Sequence, residues 1–565
     1  MTHEIDVPAL LKALELPTQD IELLAFCASN KSSRVTDWVN SLKTTQIVQT
    51  CGHLYQAIPQ VLRLKTTLGE RKNMLDSLFL AAYPCTISLG KAFLNQPLAL
   101  PQTAQKAAVL GQTILKSLAT GYLLILQDLC AEKKLKQAQQ STAAEALFNG
   151  LQCLALMQLR NLQLYSQASP IIWRYANSFI QLAEHLQVGQ LLVKPQFTGL
   201  SPATPIDCYL RMVALAGARL NQLTQVDMSH TFNALASWAQ VLKLSPTPAT
   251  FWIDLSSNSP PILTERKAPP ETGQILHFDF SVLTQQLANL LEGEASLIGL
   301  DAEISIPPEL SSPTTIHLEN AWGRNIVRTS NRHASEHTAE IVVGFQQCHS
   351  KLSGFNDFSE FLGEQKRVDT NKKPSGLSGL SNLLGALTPA ASAKASNNTL
   401  SPTTPLRVIT QNISKDGYCL LWEGIQPVRI DAGDVIAIRE HAKRDWSLGV
   451  IRWIRKLKSH SLIGVQLVST KPQAVAASCN YDDGGYSDFM RAFTFPNPPP
   501  QHGSGLLTAN ILFDENTKIK LKLDSNSKPS LAKLVSCQLT TGKAKAFNLE
   551  QASEKETPNK TQHAL

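Results

Sequence analysis

Pro405-Leu-Arg-Val-Ile-Thr-Gln-Asn-Ile-Ser-Lys-Asp-Gly-Tyr-Cys-Leu-Leu-Trp422 decides the architecture of the chain. Two β-prone runs, 406–411 and 417–422, flank Lys415-Asp416-Gly417. Turn residues between two such runs read as an antiparallel hairpin. Further runs follow at short intervals, 434–440, 446–454 and 462–468, with Asp431-Ala-Gly-Asp434 punctuating them. Upstream, Glu340-Ile-Val-Val-Gly-Phe345 supplies one more. Five or six short strands at this spacing predict a small antiparallel barrel over 320–475.

Downstream of the barrel, Tyr481–Ser504 is rich in Gly and Pro and contains Pro498-Pro-Pro500, so 476–504 reads as a linker. Alternation returns in Lys518-Ile-Lys-Leu-Lys-Leu-Asp524, which predicts a small β module over 505–550, with 551–565 a polar tail. Inside the barrel region, Asn371–Thr404 is built of Ser, Gly, Ala, Asn, Lys and Pro. Such a stretch buries too little apolar surface to offset chain entropy, and an insertion over about 353–404 is predicted to be disordered.

Upstream the period changes to helical. Ile172, Ala176, Phe179, Ala183 and Leu186 form one apolar stripe. Segments 72–95, 102–133, 142–165, 205–222 and 229–243 read alike, so 1–245 is predicted to be a helical bundle or superhelical array. Residues 246–319 form a mixed connecting region. Short β-like runs, Phe251–Leu255 and Ile275–Phe280, precede a helix over Ser281–Glu292 there.

The 565 residues, 43% hydrophobic and 17% charged, fit three or four domains with sizeable cores. No run of about 18 apolar residues occurs. Met1-Thr-His-Glu-Ile-Asp6 carries two acids and no basic leader, so a cytoplasmic chain without a membrane span is expected. None of the ten cysteines stands in a CxxC pair; Cys27, Cys51, Cys85, Cys130 and Cys153 sit among Leu and Ala and read as small buried hydrophobes. Net charge is +7, and 405–475 alone holds 11 Lys+Arg against 6 Asp+Glu, which favours an anionic partner there.

Enzyme signatures are missing from the sequence. There is no GxxxxGK[ST] loop, no HExxH and no GxSxG, and Gly503-Ser-Gly505 lacks the third glycine of a dinucleotide fingerprint. His333-Ala-Ser-Glu-His337 would place two imidazoles on one helical face, but it stands in a polar stretch just before a strand. No catalytic residue, metal or cofactor is therefore assigned, and the chain is read as a non-enzyme.

Two motifs remain. Arg324-Asn-Ile-Val-Arg328-Thr-Ser-Asn-Arg332 spaces three arginines four apart ahead of a strand, and Asn412-Ile-Ser414-Lys-Asp-Gly417 lies at a strand edge. Together they resemble the RxxxR and [D/N]xSxxG motifs of the PilZ domain, a small β-barrel that binds the bacterial messenger cyclic di-GMP. Gly433–Ile438, Gly449–Ile454 and Gly464–Leu467 continue the resemblance in order. Beyond the barrel, Tyr165 to Leu186, Tyr209–Ala216 and Trp446–Trp453 are similar to larger proteobacterial PilZ proteins with a helical N-terminal half. The 80 positions from Arg332 to Asn412 exceed the family's usual gap, and looping out 353–404 restores it.

The resemblance implies a multidomain α+β chain: a helical N-terminal half, a PilZ-like six-stranded antiparallel barrel and a small C-terminal β module. It implies a cyclic di-GMP site made by Arg328, Arg332, Asn412, Ser414 and Gly417, with Arg324 an additional candidate. The chemistry suits the residues. A guanidinium pairs bidentately with phosphate oxygens and with the O6/N7 edge of guanine, and it stacks on the base. Asn412 and Ser414 offer short side chains for hydrogen bonds, and Gly417 permits a tight turn. The helical half would pass the signal to a protein partner. Two other readings stand beside this one. The first is an adaptor whose barrel binds no nucleotide and acts by protein contact. The second is a nucleic-acid binder stacking bases on Trp422, Trp446 and Trp453.

Overall fold

The computed structural model describes residues 5–293, 303–323, 331–364, 403–424, 428–440, 445–481, 484–497 and 503–551. The described chain falls into two compact units. One comprises Met1–His333, Cys419–Gly433 and Ile451–Val465; the other comprises Ala334–Tyr418, Asp434–Val450 and Gln466–Leu565.

Nine helices open the described chain: α1 (Val7–Ala13), α2 (Ser32–Ser41), α3 (Ile47–Arg63), α4 (Leu68–Leu89), α5 (Gln102–Cys130), α6 (Gln137–Gln163), α7 (Pro170–His185), α8 (Pro205–Gly217) and α9 (Gln225–Trp238). Their starts follow local chemistry. Thr204 and Asp207 make a reciprocal capping box on α8, with Pro205 at the first helical position. Thr224 caps α9 through the Asp227 N–H, 3.1 Å. The stripe expected on α7 is buried along its whole length. Gly150 of α6 lets α7 approach closely, since a Cβ there would lie 2.3 Å from the Phe179 ring. Cys51, Cys85 and Cys153 are buried as small apolar groups, while Cys27 and Cys130 are half-buried.

Among the described residues α5 is the one helix long and apolar enough to cross a membrane, and 67% of its most apolar window is buried. Three arginines inside the helical core meet backbone instead of carboxylates. Arg71 donates to the Val61 and Leu64 carbonyls at the end of α3, each at 3.2 Å, satisfying groups a helix terminus leaves free. Arg160 donates to Ile87 O, and Arg211 donates to Phe232 O and lies over the Phe232 ring.

The connecting region holds β1 (Lys243–Ser245), β2 (Phe251–Asp254), β3 (Ile262–Leu263) and β4 (Ile275–Asp279), ordered β1-β4-β2-β3. Helices α10 (Ser281–Glu292) and α11 (Ser312–Gly323) follow. Phe280, Trp238 and Trp322 pack edge to face, and the Trp322 indole donates to Ala214 O of α8 at 2.9 Å.

The predicted barrel is present. Its strands are β5 (His333–Ala334), β6 (Thr338–Val343), β7 (Leu406–Ser414), β8 (Gly417–Glu423), β9 (Val435–Glu440), β10 (Ser447–Lys456) and β11 (His460–Ser469). The sheet order is β5-β7-β6-β9-β10-β11-β8, and pairing of β7 with β8 closes six of them into a ring. Between β6 and β7 lie α12 (Phe345–Ser353) and α13 (Phe358–Leu362). The insertion expected over 353–404 therefore begins as helix, and 365–402 lies outside the described residues.

The C-terminal stretch differs from expectation. Strands β12 (Gln473–Cys479), β13 (Met490–Pro496), β14 (Ser504–Ala509), β15 (Lys518–Lys522), β16 (Ser530–Thr540) and β17 (Ala544–Gln551) form a closed barrel ordered β12-β13-β14-β17-β16-β15. Residues 476–504, read as a linker, carry most of β12 and all of β13; the β module is a full barrel over 473–551, not 505–550. The reason lies in composition: β12 reads Gln-Ala-Val-Ala-Ala-Ser-Cys, poor in the β-branched and aromatic residues that mark a strand locally. Gly484-Gly485 lies in the loop between β12 and β13, Pro496 ends β13, and Pro498-Pro-Pro500 lies outside the described residues. The tail beyond 551 lies outside the described residues.

Candidate functional site

Asn412 and Ser414 stand on the last turn-ward positions of β7, both half-buried, and Gly417 opens β8 at φ 157° after the two-residue turn Lys415-Asp416. Two bonds fix this hairpin tip. Ser414 Oγ donates to Gly417 O at 3.4 Å, and the Leu467 N–H of β11 donates to Asp416 O at 2.8 Å.

Beside it runs the chain that enters β6. The Ser335 N–H donates to Gln411 O at 3.0 Å, and Ser335 Oγ meets Thr410 Oγ1 at 2.8 Å. The Thr410 N–H and hydroxyl both donate to His337 O, each at 2.9 Å. Two donors on one carbonyl hold 335–337 along β7 at the positions preceding Asn412. Sequence reading missed Ser335 and Thr410. Both are small hydroxyl residues whose pairing, across 75 positions, has no local signature.

Arg332 lies three positions ahead of Ser335 and is exposed; among the described residues it makes no ion pair. Arg324 and Arg328 lie outside the described residues. Arg439 of this barrel is committed elsewhere. Arg439 pairs with Glu340 across β9 and β6 and lies over the Trp446 ring at 4.8 Å. That guanidinium holds the half-buried Glu340 carboxyl below the usual carboxylate range. Tyr418 donates to Glu440 at 3.0 Å, and burial pushes its phenol up to about 12.

The tryptophans do not offer a stacking row. Trp422 is buried in β8, and Trp453 spends a ring face on Gly464, where a Cβ would sit 2.0 Å from the indole. Trp446 is capped by Arg439 and Lys351. His333 and His337 are exposed, His333 in the short strand β5, and no group of three or more His, Cys, Asp or Glu suited to a metal occurs among the described residues. A recess of about 550 Å³ in the helical unit, lined by Ile180, Ile206, Leu244 and Ile275, includes none of the candidate ligand-binding residues.

With this geometry in place, comparison with known proteins is informative. The family model described as "Cyclic-di-GMP receptor FimW, N-terminal domain" matches residues 33–249. That described as "Cyclic-di-GMP receptor FimW, middle PilZ domain" matches 250–382 and 384–474. The cyclic-di-GMP receptor FimW of Pseudomonas aeruginosa is 23% identical over 587 residues, spanning 97% of this chain and 95% of that relative. Helical N-terminal half, PilZ barrel with its hairpin motif and near-full-length similarity agree, and the chain belongs to the FimW family of large PilZ-domain proteins.

Proposed function

We propose that this chain is a cyclic di-GMP receptor in which Arg328 and Arg332 clamp phosphate and guanine while Asn412, Ser414 and Gly417 line the strand side. The observation that carries the reading is the Asn412–Gly417 hairpin at the rim of a closed six-stranded barrel, with the segment following Arg332 stapled alongside by Ser335 and Thr410. An exposed guanidinium free of carboxylate partners among the described residues is available to an anion. Arg324 extends the same clamp. The ligand is bound as a signal and not transformed, no catalytic motif being present in the sequence, and no cofactor is needed.

The helical half is the output module, docking a protein partner in the cytoplasm when the ligand orders the arginine segment. Isothermal titration of the full chain with cyclic di-GMP tests the receptor reading. Micromolar or tighter binding, lost in Arg332→Ala, supports it. Absence of heat at high ligand concentration overturns it and leaves a PilZ-fold adaptor acting by protein contact.

A further inference from the structure

Two barrels of this chain share one connectivity. In the first, β6 to β11 are strands one to six; in the second, β12 to β17 are. In both rings strand one neighbours two and four, strand three neighbours two and six, and strand five neighbours four and six. The matched family models end at 474, at the start of the second ring.

We propose that 473–551 is a second barrel of PilZ connectivity that has given up the dinucleotide and holds helix α12 at the equivalent corner. The clamp has no counterpart there. Only Thr470-Lys471-Pro472 separates β11 from β12, so no arginine-bearing lead-in precedes strand one. Between strands two and three, Asn497-Pro-Pro-Pro-Gln-His-Gly503 contains no Asn-x-Ser-x-x-Gly.

What fills the corner is apolar. Val475, Ala477, Ala492 and Leu506 face the barrel interior. Their alternating neighbours Ala474, Phe493, Phe495 and Leu507 point outward. These form one buried cluster with Cys348 of α12, and Phe345 and Leu352 of the same helix pack against it. The Phe345 and Phe493 rings lie 5.2 Å apart. The His349 Nε2–H of α12 donates to Val475 O of strand one at 3.0 Å. Ala474 is the second residue of strand one and Phe495 stands one residue before the end of strand two, the parts of the ring that carry the arginine lead-in and Asn412 in the first barrel. A doubly charged ligand needs guanidinium and water there, whereas a desolvated phenylalanine face accepts only an apolar partner.

The proposal rests on the receptor reading only in taking the first barrel as the ligand-binding one. Hydrogen exchange on the full chain, with cyclic di-GMP as the probe, tests it. In the wild type the ligand should slow exchange around 403–418 and leave 490–509 unchanged, and Arg332→Ala should abolish the effect. Ligand protection of 490–509 that survives in Arg332→Ala would overturn the proposal. Phe345→Ala, on the helix side of the contact, should speed exchange at least tenfold in both 345–353 and 490–496. Unchanged exchange in those segments sinks the docking claim. A wild type that shows no ligand effect anywhere removes the receptor reading alone, and the Phe345→Ala arm still decides the docking.

Discussion

The first barrel keeps its strand-two corner polar, with half-buried Asn412 and Ser414, the Ser335–Thr410 hydroxyl pair and an exposed Arg332 nearby in sequence. The second barrel, with the same strand order, places fully buried Phe493 and nearly buried Phe495 on its outer face. Connectivity therefore fixes where a corner is, and the side chains at the strand ends decide whether it stays polar or is covered by a helix.

The contrast can be broken most severely at Phe493. Phe493→Ala should cost about 3–5 kcal/mol, because it removes a buried ring and leaves a cavity. Scanning calorimetry should show a lowered midpoint for the second barrel; an unaltered midpoint would mean the apolar corner is not what holds it.

His349 sharpens the same difference through pH. Burial, reinforced by the nearby Arg491 charge and opposed by the bond to Val475 O, lowers its imidazole to about 4. Below the ordinary value the unfolded chain takes up a proton that the folded chain refuses. Stability should fall as pH drops from above 6.5 towards 4 and level off below, by about 3 kcal/mol in all. Denaturant titrations at pH 7.5, 5.5 and 4 measure this. His349→Gln should flatten that part of the profile, and an equal slope in the variant would exclude His349 as its source.

At the polar corner, Arg332→Ala should weaken cyclic di-GMP binding about 30- to 100-fold, the loss of a charge-assisted contact worth roughly 2–3 kcal/mol. Its melting temperature should stay put, since the side chain is exposed. A large drop in stability would instead make Arg332 a structural residue.

Gly464→Ala forces a Cβ into the Trp453 indole. It should destabilise the first barrel by about 1–3 kcal/mol without touching the second, as domain-resolved exchange would reveal. The smallest effect is expected from Asn412→Ala, roughly fivefold in affinity at about 1 kcal/mol for one hydrogen bond. Wild-type affinity in that variant would remove Asn412 from the site.

Much of this arrangement is legible in the sequence. The α7 stripe, the helix over Ser281–Glu292 and the strands on either side of Lys415-Asp416 all carry their period in neighbouring residues. The Asn412–Gly417 motif lies within six positions and was equally visible. Other features were hidden. The alanines of β12 gave no strand signal and left the second barrel half-read. No local pattern marks Arg71, Arg160 and Arg211 as buried donors to backbone carbonyls.

What the sequence alone determined is the helical half, the first barrel and its hairpin motif, because periodicity and turn chemistry act over a few residues. Closure of the second barrel, the Ser335–Thr410 staple and the seating of α12 against Phe493 were decided by tertiary structure. Each depends on burying surfaces far apart in the chain, from Ala476 beside Lys522 to Phe345 against Phe493, and no local pattern encodes which distant surface will exclude water from which.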